Sequence, residues 1–133
     1  MLVPAIHFPG TCADAIALYQ RVFGAEVMSV AYYKDAPLDS PLRAAAKNPY
    51  HIMHAELIIA GTRLNMCDVP DDVVSGNRYL LNVFMGTMDE VSSAYHLLSE
   101  GGRVVTALAP QFWTAMYGEV EDRFGIHWQL MAK

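Results

Sequence analysis

The chain has 133 residues, with nine Lys and Arg against fourteen Asp and Glu, a formal charge of −5 and a pI near 5.4. At this length one domain spanning 1–133 is expected, and 53% hydrophobic with 17% charged residues excludes a disordered chain. The acidic balance, with no basic stripe, excludes nucleic acid as the main partner.

The opening stretch MLVPAIHFPGTCADAIALYQ is apolar, but no basic residue precedes Arg21, so it reads as mature structure rather than a secretory signal. No run of about 18 apolar residues occurs, and Asn82 interrupts even YLLNVFM, so no membrane partner is expected. Cys12 and Cys67 lie in unlike contexts and make no disulfide framework, which fits a cytoplasmic location.

In chain order, VPAIHF reads as a strand and 11–23 as an amphipathic helix ending at Gly24. AEVMSVAYY is a returning strand, and 34–50, with three prolines, is a long loop with a turn of helix at 42–47. HIMHAELII and TRLNMCD flank Ala60-Gly61 as a hairpin, and 69–77 is a linker. Then YLLNVF, a helix over 87–100 closed by Gly101-Gly102, RVVTAL, and a second hairpin from TAMYGEVED to IHWQLM around Arg123-Phe124-Gly125 complete the chain.

These elements are one unit written twice. FPGTCADAIALYQRV (8–22) lies over FMGTMDEVSSAYHLL (84–98), so that Phe8 meets Phe84, Gly10 meets Gly86, Thr11 meets Thr87 and Tyr19 meets Tyr95. The stripe Cys12, Ala15, Tyr19, Val22 falls on Met88, Val91, Tyr95, Leu98, one face of each helix. Thr11 with Asp14 and Thr87 with Glu90 resemble capping boxes. Aligning Gly61 with Gly125 sets Leu64 over Trp128 and Asn65 over Gln129. The expected fold class is α+β: two tandem βαβββ modules, about 1–68 and 78–133, forming a curled mixed sheet around a cleft suited to a small molecule.

Four stretches, PAIHFPGTCADAIALYQRVFGAEV (4–27), MHAELIIAGTRLNMCD (53–68), SEGGRV (99–104) and FWTAMYGEVEDRFGIHWQL (112–130), carry a family resemblance. The chain resembles the PhnB-like branch of the vicinal oxygen chelate superfamily, which includes glyoxalase I, fosfomycin- and bleomycin-resistance proteins and extradiol dioxygenases. The branch is often labelled a ubiquinone methyltransferase, but no glycine-rich nucleotide-binding turn is present here. The resemblance implies a glyoxalase-like fold, a homodimer and, in metal-binding members, imidazoles on the first strand and carboxylates on the last strand of each module. Those positions fall on Asn65 and Gln129, and on Val3 or Pro4 and Leu81 or Asn82, none of which is a histidine or carboxylate.

The candidate ligand-binding residues are His7, Asn65, Gln129, Trp113, Tyr117 and Trp128, with Phe112 extending the aromatic set. His54 and Glu56, two apart on one strand, are candidate catalytic residues, a general base and its orienter. With His7 they are also the candidate ligands for a divalent metal, the one cofactor that enters the reading. His127 shares the spacing of Gln129; Asp122 and Arg123 are assigned to a turn, Cys12 to the core, and His51 and His96 to the surface. The expected function is metal-independent binding of a small apolar or aromatic molecule. The alternatives are a metal-dependent lyase, isomerase or dioxygenase with a displaced His/Glu site, and an interaction domain filled by its own 34–50 loop.

Overall fold

A computed structural model describes residues 1–133. It divides into two compact units, Met1–Val74 and Ser75–Lys133. Both have the same α+β plan. The first runs β1 (Ala5–Phe8), α1 (Cys12–Phe23), β2 (Glu26–Tyr32), α2 (Pro41–Ala45), β3 (Ile52–Ile59) and β4 (Thr62–Asp68). The second runs β5 (Leu81–Met85), α3 (Met88–Ser99), β6 (Arg103–Gln111), β7 (Thr114–Glu121) and β8 (His127–Ala132). Each forms a four-stranded mixed sheet, in the orders β1-β4-β3-β2 and β5-β8-β7-β6, with the first strand parallel to the last. No helix is long and apolar enough to cross a membrane.

Period-two alternation sorts the strand residues onto two faces. In the first unit Ala55, Leu57, Ile59, Leu64 and Met66 are buried together with Ala15, Leu18 and Tyr19 of α1. In the second, Val83, Val120, Trp128 and Leu130 are buried with Val91, Ala94 and Leu98 of α3. The β3–β4 hairpin turns on Ala60 and Gly61, both at positive φ (49° and 83°), the pair of conformations a tight hairpin demands. Gly102 is needed for another reason: a β-carbon there would collide with the Glu121 carbonyl oxygen, so β6 starts against β7 only with glycine.

The repeat is one residue out of phase in its first strands. Phe8 is 1% exposed and Phe84 is 56% exposed, because three residues separate β1 from α1 and two separate β5 from α3. Matching Phe8 to Phe84 through the shared Gly-Thr therefore pairs opposite faces, and Met88, matched to buried Cys12, is half exposed. Capping differs as well. Thr87 accepts the Glu90 N–H at 3.1 Å, as expected, whereas Thr11 makes no side-chain cap. The start of α1 is held instead by Asp68, whose Oδ1 accepts from Gly10 N and Cys12 N at 3.0 and 2.9 Å. The far end of α1 closes on Gly24 (φ 63°). In the 34–50 segment α2 forms at Pro41–Ala45, and Arg43 donates to the carbonyls of Lys34 and Ala36.

Candidate functional site

In the first sheet the face turned away from α1 collects polar side chains. Register fixes its membership: Ala5 lies beside Asn65, His7 beside Cys67, Glu56 opposite Asn65, and Ile58 opposite Arg63. His54 lies two residues from Glu56 on β3 and so shares the face. His7, His54, Glu56 and Asn65, four of the candidates, are thus on one face of one sheet. Arg63 and Cys67 join them, neither a site candidate from the sequence, although both lie two residues from Asn65 and alternation places them there.

The chemistry of this face centres on Glu56. Arg63 Nη2 donates to Glu56 Oε1 at 2.6 Å, and His54 Nε2 is 3.3 Å from the same oxygen. Two atoms beside this cluster are enclosed and have no partner, the acceptor Asn65 Oδ1 and the donor Arg63 Nε–H. A buried polar atom without a hydrogen bond costs about 1–3 kcal/mol. Burial raises the Cys67 thiol above its ordinary 9.0, with the Asp68 charge adding to the effect.

The matching face of the second sheet is satisfied internally. Glu119 lies opposite Gln129, and Gln129 Nε2 donates to Glu119 Oε1 at 3.0 Å. His127, two residues before Gln129, is 6% exposed with Nε2 3.6 Å from Glu121 Oε2. Tyr117 shares the face; burial first and Glu119 second raise its phenol above the ordinary 10.0. Phe112, Trp113 and Tyr117 form an edge-to-face chain with centroids 4.8 and 5.7 Å apart, Phe112 almost fully exposed.

Trp128 does not belong to that set. It lies on the opposite face from Gln129, is 1% exposed and donates its indole N–H to Asp122 Oδ2 at 2.9 Å. Period two places successive residues of a strand on opposite faces, so Trp128 and Gln129 cannot both line one surface. Asp122 is the organiser of the β7–β8 turn, its Oδ1 accepting from Phe124 N and Ile126 N. Arg123 is an exposed turn residue, and His96 is exposed on α3. His51 departs from a surface position: its ring packs over Gly10, where a β-carbon would come within 2.9 Å of Cε1. Burial drives the Cys12 thiol far above its ordinary 9.0. A cavity of about 490 Å³ opens among Gly101, Arg103, Glu121, Arg123 and Gly125, and contains none of the candidate residues.

The metal implied by the resemblance is tested by the donors at the matching positions. The strand neighbours of the two amides are Ala5 for Asn65, rather than Val3 or Pro4, and Asn82 for Gln129, rather than Leu81. That set is one methyl group and three neutral amides. Neutral amides lack the charge that holds a divalent ion against water. Elsewhere no group of three or more His, Cys, Asp or Glu side chains is placed to hold a metal ion, and Glu56 is already neutralised by Arg63. The residues do not fit the group.

The sheet order and repeated βαβββ plan define a class, and the sequence agrees: residues 5–130 match the model of the glyoxalase/bleomycin resistance protein/dioxygenase superfamily, to which this chain belongs. Protein YjdN of Escherichia coli K12 is 30% identical over 97% of this chain and 92% of its own length. Protein PA1353 of Pseudomonas aeruginosa is 27% identical with a TM-score of 0.86, covering 100% of this chain and 97% of that one. The PhnB protein of Bacillus cereus, at 19% identity, shares the fold with a TM-score of 0.83 over 99% and 98% of the two chains.

Proposed function

We propose that this chain binds a small organic molecule on the polar face of β1, β4 and β3, without a resident metal. The observation that carries the reading is the gathering of His7, His54, Glu56, Arg63 and Asn65 on one face of one sheet. His7 and His54 lie at the exposed margin of the same face and would contact the ligand's outer edge. Glu56, tied to Arg63, serves to fix the guanidinium rather than to take a proton. Phe112, Trp113 and Tyr117 offer a separate apolar surface in the second unit. A homodimer goes with this reading, two-fold dimers being the commonest oligomers, as does the cytoplasmic setting expected from the two unpaired cysteines.

Two measurements test it. A thermal-shift screen of wild-type protein against chemically diverse small molecules should yield stabilising compounds whose effect is lost in Asn65→Leu. Elemental analysis of protein purified without chelator should find less than one transition metal per chain. Stoichiometric metal, lost in His54→Ala or Glu56→Ala, would overturn the metal-free reading.

A further inference from the structure

We infer that the cavity of the second unit takes a small organic oxyanion that also carries hydroxyl groups; this is independent of the binding reading for the first sheet. The cavity has a volume of about 490 Å³ and lies wholly within Ser75–Lys133. Small-molecule sites run from about 300 to 1,000 Å³, and a bare ion would leave most of this one empty.

Its charges are sorted by exposure. The two carboxylates are turned inward and engaged. Asp122 is 3% exposed, and its oxygens accept from two backbone N–H groups and the Trp128 indole. Glu121 Oε2 accepts from Arg103 Nε and Nη2 at 3.2 and 2.7 Å, with His127 Nε2 3.6 Å away. The two guanidiniums are turned outward. The Arg103 side chain is 62% exposed against 25% for Glu121, and Arg123 is exposed as well. Arg123 takes part in none of the ion pairs of the chain, so its charge is unmatched. It reaches the cavity over Gly101, where a β-carbon would come within 3.8 Å of Arg123 Nε. A ligand therefore meets positive charge here, on a chain whose net charge is −5. The N–H fork of a guanidinium matches the paired oxygens of a carboxylate or a phosphate.

The rest of the lining asks for hydroxyls. Phe124 is its one apolar side chain. Glu121 Oε1 and Ser75 Oγ converge above Gly125, 4.0 and 2.7 Å from where a β-carbon would stand. All the bonds of Glu121 end on Oε2, which leaves Oε1 to accept from a ligand. Arg103 already balances the Glu121 charge, so a neutral hydroxyl suits Oε1 better than an ammonium does.

Glucose 6-phosphate and gluconate carry an oxyanion on a hydroxylated body, and glucose carries such a body alone. Titrated at constant ionic strength into ¹⁵N-labelled wild-type protein, one or both anions should give saturable backbone shifts at Ser75, Gly101–Arg103 and Glu121–Gly125. Glucose should give none, and the anion that binds tells phosphate from carboxylate. Arg123→Gln should weaken the binding about tenfold or more without lowering the melting temperature, because the side chain is exposed and unpaired. Arg103→Gln, which uncovers the Glu121 charge, should weaken it as well. Saturation by neither anion, shifts centred elsewhere, or affinity unchanged in Arg123→Gln would overturn the inference. So would glucose or inorganic phosphate binding as tightly as the sugar anions.

Discussion

The two units share one plan and differ in how each uses a single buried aspartate. Asp68, at the end of β4, reaches back to the start of α1 and to β3, accepting from Gly10 N, Cys12 N and Ile52 N. Asp122, before β8, accepts from Phe124 N and Ile126 N of its own turn and from the Trp128 indole. One joins elements far apart in the chain, and the other organises a hairpin. The polar faces differ in parallel: a Glu–amide pair sits on each sheet, but only in the second is the amide bonded to the carboxylate. In the first, Glu56 is held by Arg63 and His54 and makes no bond to Asn65. A duplicated scaffold thus need not keep duplicated polar contacts.

The comparison can be broken most severely at Asp68. Asp68→Ala removes the acceptor from three backbone donors, two of them in fully buried bonds, and should cost about 4 kcal/mol or more in urea unfolding. Asp122→Ala, whose losses are mostly within a turn, should cost less, about 2–3 kcal/mol. Equal costs would erase the distinction between a long-range tie and a local one. Next in size is the capping contrast: Thr87→Ala should cost about 1 kcal/mol, and Thr11→Ala less than about 0.5 kcal/mol, because Asp68 does the capping there.

A separate effect lies at alkaline pH. Both thiols are in the first unit, and burial holds both above their ordinary 9.0. A folded chain that keeps its thiols protonated while the unfolded chain ionises is favoured fully below pH 9 and progressively less above it. Urea unfolding at about pH 8 and about pH 10 should show a loss of up to about 1.4 kcal/mol per thiol per pH unit. Cys12→Ala should flatten that slope.

Much of this was legible from periodicity. The β3–β4 hairpin follows from Ala60-Gly61, and with that turn the pairing of Glu56 with Asn65 is fixed by counting back from it. The candidates His54, Glu56 and Asn65 fall on one face for the same reason, and His7 joins them through the parallel pairing of β1 with β4. What the pattern hid were contacts between residues distant in sequence: nothing near Thr11 announces that Asp68, 56 positions beyond Cys12, will cap its helix. The one-residue difference between the β1–α1 and β5–α3 connections was concealed by an identical Gly-Thr, so the faces of Phe8 and Phe84 were read as alike. Trp128 was grouped with other aromatics by type, whereas alternation beside Gln129 already put it in the core. Arg63 went unremarked because a charged residue in a strand reads as solvated surface until its partner across the hairpin is known.

The central claim is that recognition belongs to the polar face of the first sheet. It is tested most directly by mapping backbone amide shifts of the wild-type protein against the strongest compound from the thermal-shift screen. The account predicts that the largest changes cluster on β1, β3 and β4, around His7, His54, Glu56, Arg63 and Asn65. Changes confined to the Phe112–Trp113 hairpin, or to the Gln129 strand, would contradict it.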